Sequence, residues 1–255
     1  SNRPLSDLFG KYFMRDRFGA TEPKAMMCRF HTQTAGSTLQ AQQIENNVVR
    51  TTLQAAAAVL GGTQSLHTNS RDEALALPTE KSARLALRTQ QVIAYESGIP
   101  EVADPLAGSH YVEALTDELE SEAQAIIEKI DTLGGTVTAI ENEFQQNEIA
   151  KSAYDYQKAI DEGEKIIVGV NKFETKDADI PETQDIDEKA VTLQLERLRT
   201  VKQSRDSEKV KLALNALESA AEENINLIPK IIEAVKYEAT LGEISDTLRG
   251  VFGEF

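Results

Sequence analysis

Two polar segments organise the chain, and each one follows or contains a run of residues with the character of a β-strand. The first is Arg29-Phe30-His31-Thr32-Gln33-Thr34-Ala35-Gly36, and the second is Gly61-Gly62-Thr63-Gln64-Ser65-Leu66-His67-Thr68-Asn69. Each carries hydrogen-bonding side chains where a buried strand usually has Val, Ile or Leu. Each also precedes a predicted helix. The pattern therefore predicts two βα units whose polar strand ends line a pocket.

The composition is that of an ordinary globular chain with a strong acidic balance. The 255 residues, 40% hydrophobic and 27% charged, are enough for one large domain or two small ones. A formal net charge of -15 would repel phosphates, and aromatic residues make up only 5%, so we expect no nucleic-acid partner. No apolar run approaches the ~20 residues of a membrane span, so we expect no membrane partner.

Two features of the sequence favour a cytoplasmic location. The first residues, Ser1-Asn2-Arg3-Pro4, lack the apolar core of a secretory signal. The single cysteine, Cys28, cannot form a disulfide within the chain and fits a reducing compartment. We therefore expect a cytoplasmic protein.

Strand-like and helix-like segments alternate over residues 1–108, which is typical of parallel βα units. The spacing of apolar residues predicts strands at 24–30, 63–66 and 101–103, helices at 7–18, 39–60 and 79–98, and one helical turn at 72–77. The pair Gly61-Gly62 predicts the stop of the second helix, and Thr79 is the predicted N-cap of the third. At most three units are visible, whereas a closed barrel needs eight. We predict an α/β fold in which residues 1–108 form part of a (β/α)8 TIM-type barrel, namely its last strands.

Residues 109–255 are predicted to form a mainly helical C-terminal region that follows the barrel. Helical spacing or a helix signal marks residues 111–133, a short helix from 136, and segments 148–162, 187–205, 207–222, 227–239 and 240–252. Thr240 and Glu243 form the pattern of a capping box at the start of the last helix. An apolar, β-branched strand is predicted at 165–170, and an exposed acidic linker at 173–188.

Most catalytic motifs are absent from the sequence. His31, His67 and His110 stand in no His-x-x-x-His pattern and the chain has no Cys-x-x-Cys, so we predict no metal site. No Gly-x-Ser-x-Gly motif, phosphate-binding loop or dinucleotide fingerprint occurs. The polar strand ends therefore remain as the candidates for chemistry.

Ligands of α/β sheets and barrels bind at the carboxyl ends of the strands, where we expect residues 31–33 and 64–69. Along the second segment, alternation would direct the odd-numbered side chains to one face and the even-numbered ones to the other. Polar residues here would leave a roomier lining than the branched side chains of an ordinary barrel. The alternative is that these side chains only hydrogen-bond neighbouring loops.

At these residues the sequence resembles the large, substrate-binding subunit of methylmalonyl-CoA mutase. The motifs that carry the resemblance are RFHTQTAGS at 29–37, ENN at 45–47, GTQSLHTN at 62–69, DEALALPT at 72–79, YESG at 95–98, DPLAGS at 104–109, GVNK at 169–172 and LGEI at 241–244. They are long and specific, and they extend over essentially the whole chain.

The resemblance implies a (β/α)8 barrel through which coenzyme A threads, with adenosylcobalamin held against the carboxyl ends of the strands. The implied reaction is the radical rearrangement of (R)-methylmalonyl-CoA to succinyl-CoA. His31 and Gln33 would line the active centre as catalytic residues, and Gln64 and His31 would bind the substrate. The residues implied for the cofactor are Gln33, Gly36, Asn69, Glu73 and Ala76. Gly36 would let the backbone approach the corrin ring.

The resemblance also implies that much of the enzyme lies elsewhere. The earlier barrel strands and the cobalamin domain, whose histidine ligates cobalt, match nothing in this chain. We therefore expect the C-terminal portion of a large subunit, inactive alone, with two partners: an N-terminal barrel portion and a cobalamin-binding small subunit. Two alternatives stay open, another acyl-CoA mutase such as isobutyryl-CoA mutase, or a non-catalytic structural fragment.

Overall fold

The chain divides into two packed units, and the polar segments belong to the first. The computed structural model describes residues 7–175, 183–184 and 186–254. The first unit extends to Gln184, and the second comprises the rest of the chain. Within the described residues helix predominates and strands are few, an α/β composition. No described helix combines the length and the low polarity that crossing a membrane requires.

Two short parallel strands, β1 (His31–Gln33) and β2 (Ser65–His67), lie at the centre of the polar segments. They pair in register, with His31 opposite Ser65, Thr32 opposite Leu66 and Gln33 opposite His67. Backbone hydrogen bonds from Gln64 to Phe30 and from Thr34 to His67 continue the ladder by one residue at each end. The predicted parallel arrangement is confirmed for these two strands. β1 lies just after the predicted segment 24–30, and β2 begins two residues later than the predicted segment 63–66.

The prediction of a buried strand at 24–30 is wrong. Pro23–Met26 is a 3-10 helix, and none of residues 24–30 is buried. Pro23 has no N–H to donate to a ladder. Among the described residues β1 pairs only with β2, and that ladder begins at Phe30. The apolar residues before it therefore have no neighbouring strand to complete.

The strands predicted at 101–103 and 165–170 are also wrong. Ile99–Glu101 is a 3-10 helix followed by bends. The second segment ends in a tight turn in which Gly169 has a φ of +84° and its N–H donates to the Lys172 carbonyl at 2.8 Å. The side chain of Asn171 accepts from the Ile167 N–H at 2.7 Å. The left-handed conformation of Gly169 turns the chain away from an extended path. The Asn171 amide takes up a backbone N–H that a strand would use for pairing.

Helix α1 (Asn46–Leu60) connects the two strands. It begins seven residues later than the predicted 39–60 segment, because Gln43 has a φ of +47° and interrupts the helical path. At its end the Gly61 N–H donates to the Ala57 carbonyl, and Gly62 follows with a φ of +83°. The predicted stop at this pair is confirmed. The buried face of α1 holds Asn47, Thr51, Ala55 and Ala58.

Helix α2 (Glu80–Glu96) follows β2 through the predicted helical turn. The Thr79 side chain accepts from the Ser82 N–H at 3.2 Å, which confirms the predicted N-cap. In the turn before it, the Leu75 and Ala76 N–H groups both donate to the Asp72 carbonyl. Helix α2 packs against α1, and Thr68, just after β2, donates its hydroxyl to the Ala86 carbonyl. The two helices therefore pack together, and α2 is bonded to the residue that follows β2.

The remaining long elements of the first unit are helices, in the segments where helices were predicted. It contains a π-helix at Asp7–Arg17, and helices α3 (His110–Thr132), α4 (Thr136–Glu141) and α5 (Phe144–Asp161). Gly134 and Gly135 separate α3 from α4, both with positive φ. Arg17 forms a two-pronged ion pair with Asp131, at 2.8 and 3.1 Å, which connects the π-helix to the end of α3.

The second unit contains four helices among its described residues: α6 (Glu188–Ser204), α7 (Ser207–Glu222), α8 (Ile228–Lys236) and α9 (Leu241–Phe252). Its core is formed by Ala213, Leu217, Ala234 and Ile244, which α7, α8 and α9 contribute. Thr240 and Glu243 form the predicted capping box, with both reciprocal hydrogen bonds present. All four helices agree with the predicted segments.

Some predictions about organisation and location remain untested. Part of the predicted linker at 173–188 lies outside the described residues, at 176–182 and 185, as does the N-terminal segment Ser1 to Pro4. The boundary at residue 108 between a barrel portion and a helical region stays a prediction. The cytoplasmic location also stays a prediction.

Candidate functional site

The exposed face of the two strands presents the residues predicted to be catalytic. In each strand the middle residue is half-buried and the outer two are exposed, so His31, Gln33, Ser65 and His67 share one face. His31 Nδ1 lies 2.7 Å from the Ser65 hydroxyl, within hydrogen-bond distance. This contact orients the imidazole ring and leaves Nε2 as its other polar atom. His31 and Gln33 thus lie on the same exposed face of β1.

Gln64 lies at the amino end of β2, which corrects its expected place with the other residues at the carboxyl end. Its Oε1 accepts from the Phe30 N–H at 2.7 Å, and its Nε2 donates to the Gly62 carbonyl at 3.0 Å. The side chain therefore joins the starts of the two strands, as the loop-bonding alternative expected of polar strand ends. It also lines a cavity of about 540 Å³ together with Cys28, Phe30, Leu60 and Pro105.

At the carboxyl end, Thr34 and Asn69 connect the residues that follow the two strands. The Thr34 hydroxyl donates to Asn69 Oδ1 at 2.8 Å and accepts from the Asn69 N–H at 2.9 Å. Both residues are buried, with 4% and 3% of their surface exposed. Asn69 Nδ2, however, is buried without a hydrogen-bond partner. A buried donor of this kind is costly unless another group satisfies it.

Gly36 lies directly against this unsatisfied amide and against Glu73. A Cβ on Gly36 would lie 2.2 Å from Glu73 Oε1 and 3.0 Å from Asn69 Nδ2. Only the absence of a side chain lets these groups approach each other. We refer to Gly36, Asn69 and Glu73 as the cradle. The groups nearest Gly36 in this chain are therefore Asn69 and Glu73, and the predicted approach of a corrin ring stays a prediction.

Gln54 on α1 holds the turn that carries Gly36. Its Oε1 accepts from the Ala35 N–H at 2.7 Å, and its Nε2 donates to the Thr38 hydroxyl at 2.8 Å. The Thr38 hydroxyl in turn donates to the Ala35 carbonyl at 2.7 Å. These bonds fix the backbone on both sides of Gly36. The reasoning from sequence missed Gln54, although a long polar residue in the small apolar run of α1 is a signal for it.

Asp72 anchors the turn that carries Glu73 and Ala76. It is 1% exposed, and its Oδ2 accepts from the Thr79 N–H at 3.2 Å. Burial opposes ionisation of this carboxyl, but hydrogen bonds from Ser82, Ser70 and Thr79 outweigh it and hold the pKa of Asp72 below its ordinary value. Asp72 is therefore ionised at neutral pH and fixes the turn. Ala76, half-buried, follows in the same turn.

The structure thus separates the predicted site residues into three places. Gly36, Asn69 and Glu73 meet at the carboxyl end of the strands, with Ala76 in the following turn, while His31 and Gln33 lie on the exposed strand face. Gln64 lies at the opposite end of β2. Within the described part of the chain, no three His, Cys, Asp or Glu residues are grouped so as to hold a metal ion.

Comparison with known proteins gives consistent results. A family model described as methylmalonyl-CoA mutase matches residues 7–254. The chain is 47% identical over 255 residues to the 2-hydroxyisobutanoyl-CoA mutase large subunit of Aquincola tertiaricarbonis, covering 99% of this chain and 45% of that protein. It is 46% identical over 239 residues to methylmalonyl-CoA mutase of Escherichia coli K12, covering 93% of this chain and 34% of that protein. With the human mitochondrial methylmalonyl-CoA mutase the identity is 43% over 245 residues, 95% of this chain and 33% of that protein. The chain therefore spans between a third and less than half of the length of these relatives.

Proposed function

Because the chain belongs to the methylmalonyl-CoA mutase family, we propose that it is the C-terminal portion of the substrate-binding subunit of an adenosylcobalamin-dependent acyl-CoA mutase. The observation that carries this proposal is the cradle: a bare Gly36, a buried amide donor without a partner and an exposed carboxylate, all at the carboxyl end of parallel strands. Ligands bind at that end in barrels and open α/β sheets.

The fold we propose for residues 1–108 is the last part of a (β/α)8 barrel. β1 and β2 are parallel, each is followed by a helix, and α1 and α2 pack together. The exposed strand face, with His31 and Gln33, would then point to the barrel interior. Strand edges that face no neighbour need covering, and an N-terminal barrel portion would supply the missing strands. Residues 109–255 would form the helical region after the barrel.

The cradle suits the adenosyl group of the cofactor by its donors and acceptors. Asn69 Nδ2 can donate to a ribose hydroxyl oxygen, and the Glu73 carboxylate can accept from vicinal hydroxyl groups. Ala76, in the same turn, presents only a methyl group and leaves room beside the ligand. When bound, adenosylcobalamin supplies the homolytic cobalt–carbon chemistry that no protein side chain provides. Its cobalt ligand would come from the cobalamin-binding small subunit.

His31 and Gln33 would act on the acyl group from the strand face. With Nδ1 held by Ser65 at 2.7 Å, His31 has Nε2 free to bond the thioester oxygen. Gln33, two residues further along β1, would separate substrate from corrin and contact both. The backbone of both residues is fixed in a paired strand and the His31 ring is held by Ser65, so little more than the Gln33 side chain has to be ordered when the ligand binds. Their joint task is to position the acyl group and exclude water.

Gln64 and its cavity would receive the coenzyme A end of the substrate. The cavity of about 540 Å³ lies at the amino end of the strands and is lined mostly by apolar side chains. Gln64 still has a second Nε2 hydrogen and a second Oε1 lone pair beyond its two bonds. These could bond an amide of a pantetheine chain that extends from this cavity along the barrel interior toward His31. Coenzyme A would thus thread from one end of the strands to the other.

Two acyl-CoA substrates are candidates. Methylmalonyl-CoA is the substrate in the names of most relatives given above. The alternative is 2-hydroxyisobutanoyl-CoA, favoured by 47% identity over 99% of this chain to a protein named as a large subunit. That name also supports a separate small subunit as partner. Isobutyryl-CoA, the alternative raised from the sequence, belongs in the same test.

The test mixes the chain with an N-terminal barrel portion, a cobalamin-binding small subunit, adenosylcobalamin and each acyl-CoA in turn, and follows product formation by chromatography. We expect turnover only in the full mixture and none from the chain alone. Glu73→Gln should raise the adenosylcobalamin concentration needed for half-maximal rate, whereas the control Glu96→Gln, an exposed carboxylate at the end of α2, should not. Complex formation without turnover of any of the three substrates would refute the mutase assignment. Failure to form a complex would favour a structural fragment.

A further inference from the structure

Asn47 is fully buried and uses every hydrogen-bonding position of its side-chain amide. Its Oδ1 accepts from the Gln40 N–H at 3.0 Å and from Arg50 Nη1 at 2.7 Å. Its Nδ2 donates to the Gln40 carbonyl at 2.8 Å and to the Arg71 carbonyl at 2.8 Å. An amide offers two donors and two lone pairs, and all four are engaged here. A buried polar group satisfied so completely holds its partners in one arrangement.

Two of the three partners of Asn47, Gln40 and Arg71, belong to the loops that carry the cradle, and the third, Arg50, lies on α1 itself. Gln40 is four residues beyond Gly36, and the Gln40 side chain also donates to the Thr38 carbonyl at 3.2 Å. Arg71 lies between Asn69 and Glu73. One side chain on α1 therefore bonds the backbone after β1 and the backbone after β2. Asn47 itself contacts none of the three cradle residues by hydrogen bond.

Spacing between these loops matters because Gly36 in the first loop lies directly against Glu73 and Asn69 in the second. The position of an added Cβ there, 2.2 Å from Glu73 and 3.0 Å from Asn69, shows that no free space separates the two loops. A small displacement of either loop would change two distances: the one from the Asn69 amide to the Gly36 backbone, and the one from the Glu73 carboxylate to the Gly36 backbone. The Arg71–Glu45 ion pair holds the second loop to the start of α1 as well.

We propose that Asn47 is a positioning residue that sets the spacing of the cradle and so determines its affinity for the adenosyl group. The inference rests on the proposed function, since it assigns Asn47 to the same cofactor site. It acts through the loops of Gly36 and Glu73, without touching the ligand. Acyl-CoA binding, which involves the strand face and the cavity at the opposite end, should not depend on it.

The first arm of the test uses the chain alone and compares Asn47→Asp with Asn46→Asp. The two substitutions make the same chemical change one residue apart. In Asn47→Asp a carboxylate oxygen would face the Gln40 and Arg71 carbonyls, and two buried hydrogen bonds would be lost. Asn46 Nδ2 donates only to Gln43, and a negative charge there favours a helix start. We expect faster amide hydrogen exchange in peptides covering 36–41 and 69–76 in Asn47→Asp alone. Unchanged exchange in both peptides would overturn the proposal.

The second arm uses the reconstituted complex and separates cofactor from substrate. In Asn47→Asp the loops that carry the cradle lose two buried hydrogen bonds, and we expect the half-saturating adenosylcobalamin concentration to rise roughly tenfold, with the KM for acyl-CoA unchanged within about twofold. An equal rise in both, or only a smaller active fraction, would indicate a purely structural role and overturn the proposal. If Asn47→Asp does not fold, Asn47→Ser, which keeps one donor and one acceptor, takes its place. An unmutated complex that turns over without adenosylcobalamin would instead refute the proposed function itself.

Discussion

The ion pair between Arg205 and Glu243 should make the second unit sensitive to acid. Arg205 Nη1 and Nη2 donate to Glu243 Oε2 and Oε1 at 2.7 and 2.5 Å, and the Thr240 N–H donates to Oε2 at 2.8 Å. Arg205 is 9% exposed and Glu243 25%. The Arg205 hydrogen bonds, helped by those of Thr240 and opposed by burial, lower the pKa of Glu243 from 4.5 to about 2.

The lowered pKa can be converted into an expected loss of stability. A fall from 4.5 to about 2 corresponds to roughly 3 kcal/mol, since each pKa unit is worth ~1.4 kcal/mol. With a quarter of the Glu243 side chain exposed, solvent screening reduces this, and we expect Glu243→Gln to cost about 2 kcal/mol at pH 7. Because the folded-state pKa is lowered, this stability is present above pH 4.5 and lost as pH falls toward about 2.

The assay is native-state hydrogen exchange of peptides covering residues 241–252, at several pH values between 7 and 2.5. We expect the opening free energy of α9 in the unmutated chain to decline as pH falls below about 4.5, and that of Glu243→Gln to be lower and nearly flat. The control is Asp246→Asn, which removes an exposed pair with Arg249 and should cost only about 0.5 kcal/mol or less. Equal pH profiles for Glu243→Gln and the unmutated chain would refute the reasoning.

Three further predictions concern the cradle, a helix cap and the core. Gly36→Ala should change the free energy of unfolding by no more than ~1 kcal/mol, because the exposed end of Glu73 can move away from the added methyl group. Because that methyl group displaces the cradle, the same substitution should raise the half-saturating cofactor concentration of the reconstituted enzyme at least about tenfold. Thr79→Ala should cost about 1 kcal/mol in denaturant unfolding, because the Ser82 N–H loses its acceptor, whereas Thr79→Ser should cost little. Leu217→Ala should lower the free energy of unfolding by about 2–5 kcal/mol, because Leu217 is fully buried in the core of the second unit. Hydrogen exchange of α7 peptides measures this loss, and an equal loss in Leu212→Ala, at an exposed position, would contradict the prediction.

Local features of the fold could be predicted from the sequence because their causes lie within a few residues. The Thr79 cap and the Thr240–Glu243 capping box involve contacts three residues apart, and both are present as expected. Strands were harder to predict, because a strand needs a neighbour. Residues 24–30 and 165–170 have suitable apolar composition, yet the first has no strand to pair with among the described residues, and the second is turned by Gly169.

The candidate site was predictable in its residues more than in its geometry. His31 and Gln33 share an exposed strand face, as alternation along a strand requires. Gln64 was expected at the carboxyl end of β2 and lies at the amino end, because pairing with β1 starts the strand at Ser65. A polar residue in the apolar run of α1 marks Gln54 as unusual, but its partners, like those of Asn47, are brought together only by α1 and the loops and could not be read from the sequence.

By itself the sequence determined the positions of most helices, the parallel βα character of the polar segments and, through its motifs, the family. These follow from periodicity, caps and short strings of residues, whose physical causes are local. Only the tertiary structure decided that Gly36 lies against Asn69 and Glu73, and that the Asn69 amide is buried without a partner. Those facts depend on how two loops more than 30 residues apart meet, and that meeting is set by strand register and by the packing of α1 and α2.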